Sequence, residues 1–155
     1  MSDDANDFLF GGGAKAFPFD NVGDTVSGRI VSMEKRQQTD MQTNKPLFWD
    51  DGNPKMMLMI TIQTEMHDSE EDDGMRSVYL RGGNHTAVSG QGSSSQVAVK
   101  DAVRRSGSER IETGGTLTMQ FSGVGKQANK GFNPPKLYLA SYKAPSYAIE
   151  MDELG

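Results

Sequence analysis

The chain has 155 residues, 35% of them hydrophobic, no cysteine and a formal net charge of −5. That length predicts one domain with tails, and the missing cysteines exclude disulfides and thiolate metal sites. No apolar run approaches the ~18 residues of a membrane span, the start Met1-Ser2-Asp3-Asp4 lacks the pattern of a signal peptide, and a soluble, cytoplasmic protein is expected.

The charge is unevenly spread. Residues 1–24 hold five acids and one base, and Glu65 to Gly74 holds six acids and no Lys or Arg. Lys100 to Lys143 carries eight bases against three acids. A net acidic chain is no simple basic glue for nucleic acid, but a concentrated basic region still steers a polyanion.

Residues 1–20 read as an irregular tail, flexible at Gly11, Gly12 and Gly13. Its apolar groups Phe8, Leu9, Phe10, Phe17 and Phe19 are expected to dock on the body of the domain, with contact to a partner chain as the alternative. Gly23 to Met33 reads as the first strand and runs on towards Asp40, with Gly28 marking a bulge or sharp coil. Met41 to Lys55 is a linker that carries Phe48 and the single tryptophan, Trp49. Trp49 either packs on a domain edge or offers a ring for base stacking.

Lys55 to Thr64 alternates as a strand, with Met56, Leu58, Ile60 and Ile62 on one face. Glu65 to Gly74 is an acidic turn without calcium-loop spacing, expected to be solvated and to repel phosphate. Met75 to Arg81 pairs back as a hairpin, Val78 and Leu80 facing one way, Tyr79 and Arg81 the other. After a loop from Gly82 to Gly92, Ser93 and Gln96 fit a capping box. A helix is expected from about Ser94 to Ser106, with Val99, Ala102 and Val103 inward, Arg104 and Arg105 in the last turn and Gly107 after it.

Thr113 to Ile149 holds no Asp or Glu. Leu117, Met119 and Phe121 alternate with polar residues, and Leu137 and Leu139 alternate with Tyr138 and Ala140. These are two strands joined by a tip rich in turn residues. Lys126, Lys130, Lys136 and Lys143 attract phosphate, while rings such as Phe132 and Tyr138 offer flat faces to unstacked bases. The plainer reading is a solvated hairpin with ordinary surface lysines.

The order is strand, long loop, strand–turn–strand, short helix, strand–loop–strand. This predicts an all-β, β-rich fold: a five-stranded oligonucleotide/oligosaccharide-binding (OB-fold) barrel with one short helix between strands three and four. Its domain spans residues 21–145, between flexible tails at 1–20 and 146–155. Gly23-Asp24-Thr25-Val26-Ser27-Gly28-Arg29-Ile30-Val31, Gln37-Gln38-Thr39-Asp40, the helix before Gly114-Gly115 and the acidic end Ile149 to Leu154 together resemble the single-stranded-DNA-binding proteins of bacteriophages. The bacterial Pro-Phe ending is replaced by Leu154-Gly155.

The resemblance implies sequence-nonspecific single-stranded DNA binding in replication, recombination or repair, inside a bacterial host's cytoplasm. DNA would cross the face of strands two and three, between the flanking loops. The candidate contacts are Arg36, Lys45, Phe48, Trp49, Lys55, Tyr79, Arg81, Lys126, Lys130, Phe132, Lys136 and Tyr138. Glu150, Asp152, Glu153 and Leu154 would recruit replication or recombination proteins, and homo-oligomerisation stays open. Neither an enzyme nor a cofactor nor a metal site is expected. His67 and His85 lack ligand spacing, and Gly123 to Lys126 matches only the end of a phosphate loop, with Gln120 and Gln127 where Gly and Ser or Thr are needed. The alternative is an OB-fold adaptor or structural phage protein that binds protein.

Overall fold

A computed structural model describes residues 14–40, 42–81, 92–125 and 135–146. In chain order the elements are β1 (Lys15–Ala16), β2 (Thr25–Gln37), β3 (Met56–Gln63), β4 (Met75–Arg81), α1 (Ser95–Arg105), β5 (Thr116–Val124) and β6 (Lys136–Lys143). They form one mixed sheet in the order β1-β4-β3-β2-β5-β6. The fold is therefore β-rich, as expected, but with six strands in place of five. Among the described residues no helix is long and apolar enough to cross a membrane.

The thirteen residues of β2 serve two ladders. Thr25 to Arg29 pairs antiparallel with β5, and Arg29 to Gln37 pairs antiparallel with β3. The expected irregularity is present but displaced. Ile30 pairs with Ile62 and Ser32 with Thr61, so the extra residue is Val31, not Gly28. A bulge reverses the in–out alternation, which lets Val26 and Ile30 face the core before it and Met33 after it. Gly28 has a different task. A Cβ there would stand 2.2 Å from the Gln63 carbonyl oxygen, so only glycine lets the two backbones pass at this crossing.

The core is built from Val26, Ile30, Ile60, Ile62, Val78, Leu80, Leu117, Met119 and Tyr142, with Val99, Ala102 and Val103 of α1 closing one side. On β6 the pairing with β5 decides which side faces inward. Tyr138, Ala140 and Tyr142 pair with Phe121, Met119 and Leu117, the inward residues of β5, so they face the core. Leu139 is exposed, while Leu137 is fully buried.

Helix α1 starts one residue later than the capping-box reading. Ser94 is the cap and its hydroxyl accepts from Val97 N, so Gln96 is not at the reciprocal position. Ser93 is instead pulled into a backbone bridge with Tyr138, each donating its N–H to the other's carbonyl. The helix ends at Ser106, and Gly107 follows with φ 83°.

β4 and β6 are not hydrogen-bonded to each other, so the sheet does not close on itself. Among the described residues two connectors span the gap. Ser95 Oγ accepts from Arg81 N and donates to Arg81 O, beside the Ser93–Tyr138 bridge. The N-terminal segment from residue 14 forms the second. β1 lies parallel on β4, and Phe17 N donates to Ser77 O. Lys136 Nζ donates to the Phe19 carbonyl at 2.6 Å, and the Phe19 ring meets Tyr138 edge-on at 5.2 Å. Phe17 and Phe19 thus dock on the domain's own body, and residues 14–20 are part of the fold instead of tail.

The acidic turn is organised by a residue that the sequence reading passed over. Arg76 is 1% exposed. Its guanidinium donates to both carboxylate oxygens of Asp72, at 2.9 and 2.6 Å, and reaches Asp68 at 3.2 Å. Arg76 first, then the N–H groups of Asp68 and Gly74, hold the Asp72 carboxyl far below the usual carboxylate range. A depressed folded value means that this contribution to stability is full above the ordinary Asp value of about 3.9 and is lost as pH falls below it. The melting temperature should therefore drop on going from about pH 6 to about pH 3, and Asp72→Asn should melt lower at the higher pH and show a smaller drop. Gly28→Ala should cost about 1–3 kcal/mol in urea unfolding, since a backbone carbonyl has no rotamer with which to yield.

Candidate nucleic-acid interface

The outer face of β2, β3 and β4 carries its residues in rows set by register. Arg36 pairs with Met57 and Met57 with Arg81. The next row is Glu34, Met59 and Tyr79, and the one beyond is Ser32, Thr61 and Ser77. Residues directly opposite in adjacent strands share a face, so Arg36, Arg81 and Tyr79 come together around two methionines. The Arg81 guanidinium stands 5.7 Å from the Tyr79 ring centroid. Arg36 also meets its own-strand neighbour Glu34, Nη2 to Oε2 at 2.8 Å, which draws the Glu34 carboxyl below its usual value.

The connection from β2 to β3 is not a loose linker but a folded arm. Gln38 N donates to Lys55 O, Leu47 N to Gln38 O, and Lys55 N to Leu47 O, which stacks three short backbone segments side by side. Gln37 Nε2 adds a bond to the Leu47 carbonyl. The first turn is held by Asp40, whose carboxylate accepts from Gln42 N and Thr43 N at 2.8 and 2.9 Å. Those N–H groups, Thr43 first, lower the Asp40 carboxyl from its usual value. The second turn is closed by Trp49 N donating to Asn53 O and Gly52 N to Trp49 O.

This arm fixes four of the expected contacts. Phe48 is 55% exposed, while Trp49 is half-buried with the Lys55 ammonium 4.7 Å from its ring centroid. Lys45 is exposed at the end of the first turn. Lys55 stands just before β3 in phase with Met57 and Met59, so the arm continues the outer face of the sheet. The arm therefore combines one open aromatic ring, one ring already covered by a cation, and two ammonium groups.

The two remaining described candidates are placed elsewhere. Lys136 is engaged with the Phe19 carbonyl and lies 5.1 Å over the Phe121 ring. Tyr138 packs between Phe19 and Phe121 at the core edge. Burial pushes its phenol above the usual value, opposed by the nearby Arg81 charge. Both residues work in the β4–β6 seam, and neither is brought to the arm. Lys126, Lys130 and Phe132, and the tail residues Glu150, Asp152, Glu153 and Leu154, lie outside the described residues.

Two contributors went unseen in the sequence. Met57 stands between Arg36 and Arg81, and Met59 between Glu34 and Tyr79. The signal was their phase with Tyr79 and Arg81 across the tight β3–β4 hairpin. Among the described residues no group of acids and histidines is arranged to hold a metal ion. Compared with protein-family models, with curated proteins and with solved structures, the chain matches none.

The Lys55–Trp49 stack yields a test without any ligand. Lys55→Ala should uncover one indole face, so acrylamide quenching of the single tryptophan should rise while the circular dichroism spectrum stays unchanged. Unaltered quenching would mean that the ammonium does not shield the ring in solution.

Proposed function

We propose that this chain binds single-stranded DNA with little sequence preference, and so protects and organises it during phage replication, recombination or repair. The observation that carries this reading is the convergence of Arg36, Arg81 and Tyr79 on one outer face with the arm that presents Phe48, Lys45 and Lys55. Cations that track a phosphate backbone, interleaved with rings that accept unstacked bases, are what such binding needs. Among the described residues no helix is offered to a major groove: α1 lies against the core with Val99, Ala102 and Val103 buried.

The fold supports the same reading. β5-β2-β3-β4 is the spatial order of a Greek key, three successive strands with the fourth returning beside the first. A short helix precedes the returning strand, and the sheet is partly open. We read it as an OB-type barrel, a fold that binds oligonucleotides across the strands equivalent to β3 and β4. The charge distribution gives that face a direction. Arg36, Arg81 and Lys55 lie at its arm end, and the acids from Glu65 to Asp73 lie at the opposite end of β3 and β4. A polyanion is therefore drawn towards the arm.

In this reading the acidic tail, with Glu150, Asp152, Glu153 and Leu154, competes weakly for the same cations and recruits replication or recombination proteins once DNA displaces it.

Anisotropy of a labelled oligo-dT, against the matching duplex, tests the reading. The single strand should bind more tightly, with affinity falling as salt rises. Arg36→Ala and Arg81→Ala should each reduce the log–log salt slope by about 0.7. Phe48→Ala should weaken binding by about 1–3 kcal/mol, the usual worth of one base–aromatic stack. Equal affinity for duplex and single strand would contradict the proposal, as would no binding at low salt.

A further inference from the structure

On the side of the sheet away from the arm, β2 and β3 part company. Their ladder ends at the pair Arg29 and Gln63, but β2 continues back to Thr25 while bonded to β5 alone. The ladder with β5 uses alternate residues of β2: Ile30 N donates to Gly115 O and Phe121 N donates to Asp24 O. Antiparallel alternation then turns the N–H and C=O groups of Thr25 and Ser27 to the opposite edge. Among the described residues nothing covers that edge. It opens into a cleft of about 560 Å³ lined by Thr25, Val26, Ser27, Gly28, Gln63, Thr64, Glu65 and Met66.

An open strand edge at the side of a cleft is a template for a further strand. Most sheets blunt such an edge with a charge pointing at it or a covering loop. Here the residues at the edge are Thr25 and Ser27, both exposed, and neither blocks it. The rim decides what could add. Glu65 lines the cleft, and Asp68, Glu70, Glu71 and Asp73 of the adjoining turn are exposed. Among the described residues no Lys or Arg lines the cleft. The same acids repel a nucleic-acid backbone.

We propose that this edge of β2 is a docking site for an extended, lysine- or arginine-bearing peptide segment of a partner protein, added as a strand along Thr25 to Ser27. Its backbone bonds to the Thr25 and Ser27 amide and carbonyl groups, and its basic side chains meet Glu65 and the acidic turn. The site lies at the opposite end of β3 from the arm. It does not depend on the nucleic-acid reading, and both ligands can be held at once.

The probe is a fluorescein-labelled peptide of alternating lysine and valine, about six residues long, a usual strand length. Two controls accompany it: the same peptide with glutamate for lysine, and one N-methylated at alternate residues. The lysine peptide should bind, the glutamate peptide should not, and N-methylation should weaken binding by about tenfold or more, equivalent to one or two lost hydrogen bonds. Ser27→Pro removes an N–H from the open edge without touching the β5 ladder and should weaken binding. Glu65→Lys should do the same through the rim, and its fold is checked by circular dichroism in case the proline variant does not fold. Slowed hydrogen exchange at the Ser27 amide should accompany binding. No binding of the lysine peptide would overturn the proposal, as would binding indifferent to N-methylation and to Glu65→Lys. Oligo-dT binding is measured separately on the same samples, so failure of either reading is seen apart from the other.

Discussion

β2 belongs to two hydrogen-bonded ladders, and everything else follows from where it passes from one to the other. Its first residues are committed to β5 and its last to β3, with Arg29 shared. A strand that does this must coil sharply, and the chain provides for it in two neighbouring places. Gly28 removes the side chain that would strike Gln63, and the bulge at Val31 resets the alternation so that apolar residues stay inward on both sides. The coil turns a flat sheet into a curved one around Val26, Ile30, Ile60, Ile62 and Leu117. It also creates the two surfaces proposed above as binding sites. Beyond the crossing β2 and β3 run on together to present the Arg36, Met57 and Arg81 row and the arm. Before it they diverge and leave the Thr25 to Ser27 edge open.

A curved sheet of this kind leaves a gap between its outer strands, and here the gap is bridged by side chains and a strap in place of a ladder. Ser95 satisfies the last backbone groups of β4, Ser93 pairs with Tyr138, and residues 14–20 join β4 to β6 through Phe17, Phe19 and Lys136. Partial opening has a functional logic. A seam closed by a few removable bonds holds the outer strands less tightly than a ladder would, whereas the β2–β3–β4 ladders, continuous and backed by the core, keep the outer face in fixed register.

Much of this was legible in the residues. Period-two alternation located β2 to β6 within a few positions, because Ile60, Ile62, Val78, Leu80, Leu117 and Met119 all face one core. The helix was found from Val99, Ala102 and Val103, and its cap was misplaced by one because three serines in a row fit equally well locally. Only the backbone bridge from Ser93 to Tyr138, a contact distant in sequence, decides among them. The same kind of information was missing for β1, which has two residues and no pattern of its own. Arg76 was in plain phase with Val78 and Leu80, yet a charged residue on an inward face reads as an exception until its partner Asp72 is seen across the turn. For the candidate interface, the sequence grouped Trp49 with Lys136 and Tyr138 by charge and aromaticity. Register separates them, because Lys136 and Tyr138 are spent on the seam.

The claim on which the functional account stands is that nucleic acid lies on the outer face of β3 and β4 and on the arm, and not on β5 and β6. Hydrogen–deuterium exchange with and without saturating oligo-dT tests this directly. The account predicts slowed exchange across residues 38–55 and at the arm-side ends of β3 and β4, around Met57 and Arg81, with β5 and β6 unchanged. Protection confined to β5 and β6, or none in the arm under saturating oligo-dT, would contradict it.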